Sequence, residues 1–209
     1  MMLLEDPTPI PQPVARFVAQ AVLPTRHGPL RTYAFRDSVD HSEPLALVVG
    51  KVRDCGDVLV RVHDACLTSE VLGSLKCDCK QQLDLSLQAI QEVGQGVVLY
   101  LPQEGRGIGL SAKIAAYALQ SCGLDTVDAN RVLGLPDDNR RYDQAASMLE
   151  HLGVRSVRLM TNNPRKVELL LNEGVVVRDR IPLVVDDLPE LAQHYLDTKV
   201  RRMRHMATE

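Results

Sequence analysis

The sequence predicts a single mixed α/β domain, with a β-rich amino-terminal half and alternating strands and helices in the carboxyl-terminal half. Two observations predict this class. Runs of β-branched residues separated by turn residues dominate residues 14–62, which is typical of strands. Beyond residue 80, apolar residues recur at helical spacing between short apolar runs, which is typical of strands covered by helices. A chain of 209 residues is long enough to bury a substantial core.

The β-rich half follows a proline-rich segment, residues 1–13, which we expect to be a flexible tail. The domain itself is therefore assigned to residues 14–209. Apolar runs at Val14–Leu23 and Leu30–Phe35 flank the turn Thr25–Gly28, and this pattern predicts a β-hairpin. Further strands are predicted at Leu45–Val52 and Val58–Val62.

The second half shows the alternation of helix and strand signals. Leu83, Leu87 and Ile90 recur on one helical face. Gly94 then supplies a stop signal for this helix. Read in the same way, the remaining pattern predicts helices at Lys80–Val93, Leu110–Gly123, Arg141–Leu152 and from Pro164 to Gly174, and strands at Val97–Leu101, Ser156–Met160 and Val175–Val177.

Composition excludes several classes of function. Hydrophobic residues make up 45% of the chain and charged residues 24%, without an apolar run of the roughly 18 residues that a membrane span needs. The amino terminus is acidic and proline-rich, unlike a secretory signal, so the five cysteines predict reduced thiols in a cytoplasmic protein. A net charge of −3 and an aromatic content of 3% argue against a nucleic-acid partner. Arginines and lysines beside glycine- or proline-marked turns favour a compact anionic ligand instead.

Three closely spaced cysteines carry the strongest chemical signal. Cys66, Cys77 and Cys79 lie within one short segment without a fourth cysteine or histidine at matching spacing. A structural zinc site uses four protein ligands, whereas a catalytic site uses three and leaves one position for water. The spacing therefore favours one catalytic zinc ion per chain, with water as the fourth ligand. Buried free thiols or a disulfide are the alternatives.

A glycine-rich turn, Gln103–Gly109, lies between a predicted strand and a predicted helix. Glycines allow the backbone to approach a ligand closely, and free amides at a helix start favour phosphate. The glycine spacing matches neither a P-loop nor a dinucleotide-binding fingerprint. The alternative is therefore a tight turn that connects the strand to the helix without binding a ligand. Arg106 favours the phosphate site, because a guanidinium can bind phosphate through two hydrogen bonds.

Two further polar turns are candidate parts of the site. Thr161–Lys166 places Arg165 and Lys166 in the first turn of a predicted helix, where cations oppose the helix dipole and an anion nearby would relieve the mismatch. A solvated first turn is the alternative. In the other turn Asp138 precedes Arg140 by two residues, so the carboxylate could be a general base, an ion-pair partner or a helix cap.

Taken together, these segments resemble the GTP cyclohydrolase II family, zinc enzymes that commit GTP to riboflavin synthesis. The spacing of the three cysteines and the glycine-rich turn carry most of the resemblance. The matching segments are Arg61–His63, Cys66, Cys77–Cys79, Gln103–Leu110, Asp125–Asn130, Asp138–Arg140, Thr161–Lys166 and His194–Lys199.

The resemblance implies a role for each matching residue. The three cysteines would hold zinc. Asp138 would accept a proton, Arg140 would attack the α-phosphorus, and Tyr117 would be needed for complete ring opening. The nucleotide would be lined by Arg61, Val62, His63, Asp64, Ala65, Gln82, Glu104, Gly105, Arg106, Thr126, Thr161 and Lys166.

The resemblance also implies the reaction. GTP would be hydrolysed to formate, pyrophosphate and a diaminopyrimidinone ribosylamino phosphate, with Mg²⁺ on the triphosphate and a homodimer as the working unit. The chemistry of arginine argues against the role of Arg140 as a nucleophile, because a guanidinium stays protonated and is a poor nucleophile. The same chemistry favours Arg140 as a phosphate clamp paired with Asp138. A divergent paralogue that stops at the formamidopyrimidine, or that binds a guanine nucleotide without turnover, is the alternative function.

Three departures from the family pattern bear on that alternative. Asp64 and Ala65 stand where serine and glutamate are usual, which removes a carboxylate beside the first cysteine unless Asp64 replaces it. Lys80 stands where glycine usually follows the last cysteine, and Arg141 where an acidic residue is usual. Either change adds a cation near the candidate site.

Overall fold

A computed structural model of the chain describes residues 13–122, 124, 126–136 and 138–185, and the backbone alone at residues 126 and 127. Seven strands form one sheet in the order β1-β2-β3-β5-β4-β6-β7. The strands are β1 (Ala15–Thr25), β2 (Gly28–Asp37), β3 (Leu45–Val49), β4 (Val58–Asp64), β5 (Gly96–Leu101), β6 (Val157–Met160) and β7 (Val177–Ile181). The helices are α1 (Leu67–Glu70), α2 (Cys79–Val93), α3 (Leu110–Gln120), α4 (Thr126–Val132), α5 (Asp143–Leu152) and α6 (Pro164–Asn172), with a 3-10 turn at Glu104–Gly107. The predicted fold class is confirmed.

The sheet combines an antiparallel half and a parallel half. β1, β2, β3 and β5 pair antiparallel, and the β1–β2 hairpin closes at the predicted turn. β4 pairs parallel with both β5 and β6, and β6 pairs parallel with β7. The carboxyl ends of β4, β5 and β6 consequently meet at one edge, which is where parallel sheets bind ligands.

Side chains of β4 and β5 alternate between two cores, one on each face of the sheet. Val58, Val60 and Val62 pack with the apolar residues of α5. Leu59 and its neighbours pack against Leu87 and Ile90 of α2. Because side chains alternate along a strand, this register also directs Arg61 and His63 toward the α2 face. The sheet is thus covered by helices on both faces.

Several element limits differ from the predictions. β3 ends at Val49 instead of Val52, because Gly50 adopts a left-handed conformation (φ 68°) and packs directly against the backbone of Gly94. α5 begins at Asp143, two residues later than predicted, since Arg141 and Tyr142 form part of a polar network. The last strand begins at Val177, where the predicted strand ended.

Other differences concern elements that the pattern did not predict. The short helices α1 and α4 and the 3-10 turn lack a clear apolar periodicity. The predicted tail, apart from Pro13, and the segment His194–Lys199 lie outside the described residues, so the domain limits stay predictions. Within the part of the chain that the structure describes, no helix has the length and apolar character needed to cross a lipid bilayer.

Candidate active site and metal centre

The three predicted cysteines come together at the carboxyl end of β4. Cys66 immediately precedes α1, while Cys77 and Cys79 lie at the start of α2. Their sulfur atoms lie within 4.8 Å of one another, and Sγ of Cys66 is 3.6 Å from Sγ of Cys77. None of the three is in a disulfide bond, which excludes the disulfide alternative. Zinc bound tetrahedrally at about 2.3 Å from each sulfur needs sulfurs roughly 3.8 Å apart, so these donors fit a metal ion.

A buried carboxylate holds the backbone of the first cysteine. Oε1 of Glu70 accepts hydrogen bonds from the Cys66 amide at 2.8 Å and from Nε2 of His63 at 2.8 Å. The hydroxyl of Tyr100 donates to Oε2 of the same carboxylate at 2.8 Å. The parallel register pairs His63 with Tyr100, so both side chains reach Glu70 from adjacent strands. Glu70 therefore fixes the position of Cys66 relative to the sheet.

The glycine-rich turn reaches the cysteines through Glu104 and Lys113. Nζ of Lys113 lies 3.1 Å from Sγ of Cys66 and donates to Oε1 of Glu104 at 2.7 Å. Oε2 of Glu104 accepts from the amide of Leu67, the first residue of α1. Burial opposes the ammonium charge, but the bond to Glu104 and the charge of Cys66 outweigh burial and raise the pKa of Lys113. Hydrogen bonds with Cys77 and Cys79 and the charge of Lys113 lower the pKa of Cys66.

The conformation of the glycine-rich turn fixes a second loop of the site. Gly107 has φ of 83°, and a Cβ there would lie 2.8 Å from the backbone of Asn139. Only glycine allows this approach. The amide of Asn139 donates to the carbonyl of Arg106 at 2.9 Å. The turn therefore carries the loop that contains Asp138 and Arg140.

Asp64 is the centre of a buried cluster of cations. Its Oδ2 accepts from Nη1 of Arg140 at 3.0 Å, from Nζ of Lys166 at 2.9 Å and from the hydroxyl of Tyr142 at 3.1 Å. Burial alone would raise the pKa of Asp64, but the charges of Lys166 and Arg140 hold it well below its usual range. Burial lowers the pKa of Lys166 to about 8, a shift that Asp64 only partly opposes.

Asp138 and Arg140 form the predicted pair. Nε and Nη2 of Arg140 donate to the two carboxylate oxygens of Asp138 at 2.9 and 2.7 Å. Burial raises the pKa of Asp138, but Arg140 outweighs burial and lowers it, so the carboxylate is ionised near neutral pH. Of the alternatives for Asp138, the ion pair is the one observed, and a helix cap is excluded because Tyr142 precedes α5.

Arg61 and Gln82 link the cysteine segment to β6. Nη2 of Arg61 donates to Oε1 of Gln82 at 2.6 Å, and its Nη1 donates to the carbonyl of Met160. Nε2 of Gln82 in turn donates to Asp78, the residue between the two later cysteines. Both predicted nucleotide residues therefore lie beside the metal ligands.

The other predicted residues occupy different parts of the site. Thr161 is buried at the end of β6, and the Val62 carbonyl accepts from Lys166. The Ala65 amide donates to the carbonyl of Leu101. The ring of Tyr117 lies 5.7 Å from Nζ of Lys113. The side chain of Thr126 lies outside the described residues.

The departures from the family pattern have structural explanations. Asp64 contacts the cations instead of the cysteines, and Glu70 supplies the carboxylate beside Cys66. Nζ of Lys80 donates to Asp84 on its own helix. Arg141 is bound by acidic residues on β2, the following loop and α5.

Three residues of the site have no signal in the sequence pattern: Glu70, Lys113 and Tyr142. Each is a polar residue in or beside a helix, and the sequence pattern treats each residue as an ordinary surface position. Glu70 and Lys113 can be recognised only in the folded structure. There Glu70 accepts from the Cys66 amide, and Nζ of Lys113 lies 3.1 Å from Sγ of Cys66. The parallel strand order that brings them together is not encoded in local spacing.

A family model described as GTP cyclohydrolase II matches residues 16–182, most of the chain. The chain belongs to the GTP cyclohydrolase II family. A GTP cyclohydrolase-2 from Acinetobacter baumannii (strain AB0057) is 52% identical over 191 residues, covering 91% of this chain and 95% of that protein. A GTP cyclohydrolase-2 from Acinetobacter baylyi is 51% identical over the same shares. The predicted enzyme class is therefore confirmed at the level of the GTP cyclohydrolase II family.

The GTP cyclohydrolase II family also includes longer relatives. The riboflavin biosynthesis protein RibBA of Salinispora arenicola is 52% identical over 190 residues, which cover 90% of this chain and 45% of that protein. A crystal structure of RibBX, a two-domain 3,4-dihydroxy-2-butanone 4-phosphate synthase from A. baumannii, is 18% identical with a TM-score of 0.49, over 81% of this chain and 41% of that one. So low a similarity adds nothing to the family assignment.

Proposed function

We propose that the chain hydrolyses GTP to formate, pyrophosphate and a diaminopyrimidinone ribosylamino phosphate, as the first step of riboflavin synthesis. The single observation that carries the proposal is how close two groups of side chains lie along the chain. Asp64, which pairs with the buried cations Arg140 and Lys166, and Cys66 of the three-thiol cluster are two residues apart at the carboxyl end of β4. The chemistry at the base and the chemistry at the phosphates could then occur on one bound nucleotide.

Cys66, Cys77 and Cys79 would hold one zinc ion per chain, with water completing its coordination. When bound, zinc supplies a Lewis acid and an activated water for hydrolysis at C8 of guanine. Three thiolates leave excess negative charge, which acidifies water less than neutral ligands do, so neighbouring groups must assist. His63 is buried and shares the acceptor Glu70 with the Cys66 amide, and its Nδ1 lacks a partner among the described residues.

Arg140, Lys166 and Arg106 would bind the phosphates together with Mg²⁺. Burial lowers the pKa of Arg140, but Asp64 and Asp138 outweigh burial and raise it well above its ordinary value. A guanidinium held in its charged form supports a clamp on the α-phosphate instead of a nucleophile. Asp138, ionised and adjacent, would accept a proton during hydrolysis.

Tyr117 would assist the second hydrolysis, which releases formate. Its ring lies near the ammonium groups of Lys76 and Lys113, on the helix that follows the glycine-rich turn. Tyr117→Phe should therefore retain pyrophosphate release and accumulate the formylated pyrimidine. The remaining predicted residues would line the nucleotide: Arg61, Val62, Asp64, Ala65, Gln82, Glu104, Gly105, Thr126 and Thr161.

A homodimer and a cytoplasmic location complete the proposal. Exposed apolar side chains surround α1, at Leu67, Val71, Leu72 and Leu75, and clustered exposed apolar residues mark interaction surfaces. Sedimentation of the zinc-loaded protein tests the dimer. The free cysteines fit a reducing compartment.

The deciding experiment incubates zinc-loaded protein with GTP and Mg²⁺ and resolves the products by mass. We expect formate and pyrophosphate from GTP and neither from ATP. Accumulation of the formamidopyrimidine would support the alternative of a divergent paralogue. GTP binding without any product would support a silent nucleotide-binding protein.

A further inference from the structure

Lys113 is bonded to three acceptors on two segments of the site, the start of α1 and the glycine-rich turn. Its Nζ lies 3.1 Å from Sγ of Cys66, 2.8 Å from Oγ1 of Thr68 and 2.7 Å from Oε1 of Glu104. An ammonium group has three donors, and these three acceptors use all of them. The side chain is only 11% exposed. An exposed lysine has many orientations, whereas this one is fixed by its partners.

The contacts of Lys113 form a closed ring with Glu104. Oε1 of Glu104 accepts from Lys113, while its Oε2 accepts at 2.7 Å from the amide of Leu67, which directly follows Cys66. The ring therefore joins the thiol, the start of α1 and the glycine-rich turn. A displacement of the turn would be transmitted to the Cys66 sulfur through two short hydrogen bonds.

Charge gives the same residue a second role. Three thiolates bound to a divalent ion leave one excess negative charge, and burying unbalanced charge is costly. The ammonium of Lys113 touches one of these sulfurs. A donor to a ligating sulfur also withdraws electron density from it, which tunes the metal site.

We propose that Lys113 is a positioning residue that compensates the charge of the Cys66 thiolate and couples the metal site to the glycine-rich turn. The proposal rests on the proposed function only in assigning a metal to the three cysteines. It goes beyond the metal ligands and nucleotide contacts, because Lys113 acts on the metal through Cys66.

Lys113→Met tests the proposal, since methionine retains much of the length and loses the charge and the donors. Zinc affinity, measured by competition with a chelator, should fall by about 10- to 100-fold. In protein loaded with Co²⁺, the sulfur-to-cobalt charge-transfer band should move to lower energy, because a sulfur without its donor is more easily oxidised. Lys51→Met, at an exposed lysine, should match the wild type in both measurements.

Lys113→Gln keeps the proposal testable if Lys113→Met does not fold. Glutamine keeps a donor at this position but removes the charge beside Sγ of Cys66, so zinc affinity should fall and the cobalt band should move in the same direction as in Lys113→Met, but less. An unchanged zinc affinity and cobalt spectrum in Lys113→Met, or in Lys113→Gln when only that variant folds, overturns the proposal. Neither measurement depends on GTP turnover, so loss of the proposed function would be recognised separately by the formate assay.

Discussion

Oδ2 of Asp64 lies 2.9 Å from Nζ of Lys166, and both side chains are at least nine-tenths enclosed. Arg140 reaches the same oxygen at 3.0 Å. Two buried cations are thus held together by a carboxylate of the protein. Asp64 keeps the buried positive charges compatible with folding, and in the proposed function it would compete with a phosphate for them.

Removing this carboxylate should destabilise the free protein. Asp64→Asn leaves the buried Lys166 without its carboxylate partner and leaves Arg140 with Asp138 alone, and breaking a buried ion pair costs about 3–5 kcal/mol of unfolding free energy. Denaturation in urea measures the loss. Added pyrophosphate should restore part of it, because a ligand that binds only the folded state stabilises that state.

Glu43→Gln provides the matched control, since Glu43 pairs with Arg36 on the surface and an exposed pair is worth about 0–1 kcal/mol. Equal stability of the two variants would show that Asp64 is not the anion that holds these cations.

The pH dependence of GTP turnover should show an alkaline limb near pH 8. Burial lowers the pKa of Lys166 to about 8, and Asp64 partly opposes the shift. A lysine is charged below its pKa, so its attraction for phosphate is present below about pH 8 and is lost as the pH rises. The measurement is kcat/KM against pH at constant zinc and magnesium, because this ratio reports the free enzyme.

Asp64→Asn should move this limb to lower pH, since it removes the charge that raises the pKa of Lys166. A limb that stays at the same pH in both proteins would assign it to another group.

Cys79→Ser should abolish stable zinc binding. Cys79 is one of three sulfurs that lie within 4.8 Å of one another, and a hydroxyl is a far weaker zinc ligand than a thiolate. Metal analysis after dialysis should give about one zinc per chain for the wild type and well under half for the variant. Cys122→Ser, at an exposed cysteine, should keep its zinc; equal content in all three proteins would remove Cys79 from the metal site.

The cluster of three cysteines was predictable from the sequence because its geometry is local. Cys77 and Cys79 are two residues apart, and Cys66 reaches them through one short segment. The helix cap at Asn163 was equally predictable, since its side chain accepts from the amide of Arg165 two residues later.

Contacts between distant segments could not be predicted in this way. Asp64 meets Lys166 across 102 residues, and Lys113 meets Cys66 across 47. These approaches depend on the strand order β5-β4-β6, which no local pattern specifies. For the same reason the sequence left open whether Asp64 replaces the carboxylate missing at Ala65. In the structure Glu70 supplies the carboxylate beside Cys66.

Glu70→Ala should weaken the metal site without removing a ligand. The substitution leaves the Cys66 amide, His63 and the Tyr100 hydroxyl without their shared buried acceptor. Each unsatisfied buried polar group costs about 1–3 kcal/mol, so the loss should appear as a lower unfolding temperature. Zinc affinity should fall by about 10- to 100-fold, because Cys66 is no longer held in place.

Glu70→Gln separates hydrogen bonding from charge. Its amide oxygen can still accept from Cys66 and His63, while its NH₂ can donate to the Tyr100 hydroxyl, so the loss should be much smaller than in Glu70→Ala. Glu92→Ala on α2, at an exposed glutamate, controls for the removal of a carboxylate in general. Chelator competition should give the highest zinc affinity for Glu92→Ala, a lower one for Glu70→Gln and the lowest for Glu70→Ala. If Glu70→Ala binds zinc as tightly as Glu92→Ala, the carboxylate beside Cys66 has no part in positioning the metal ligand.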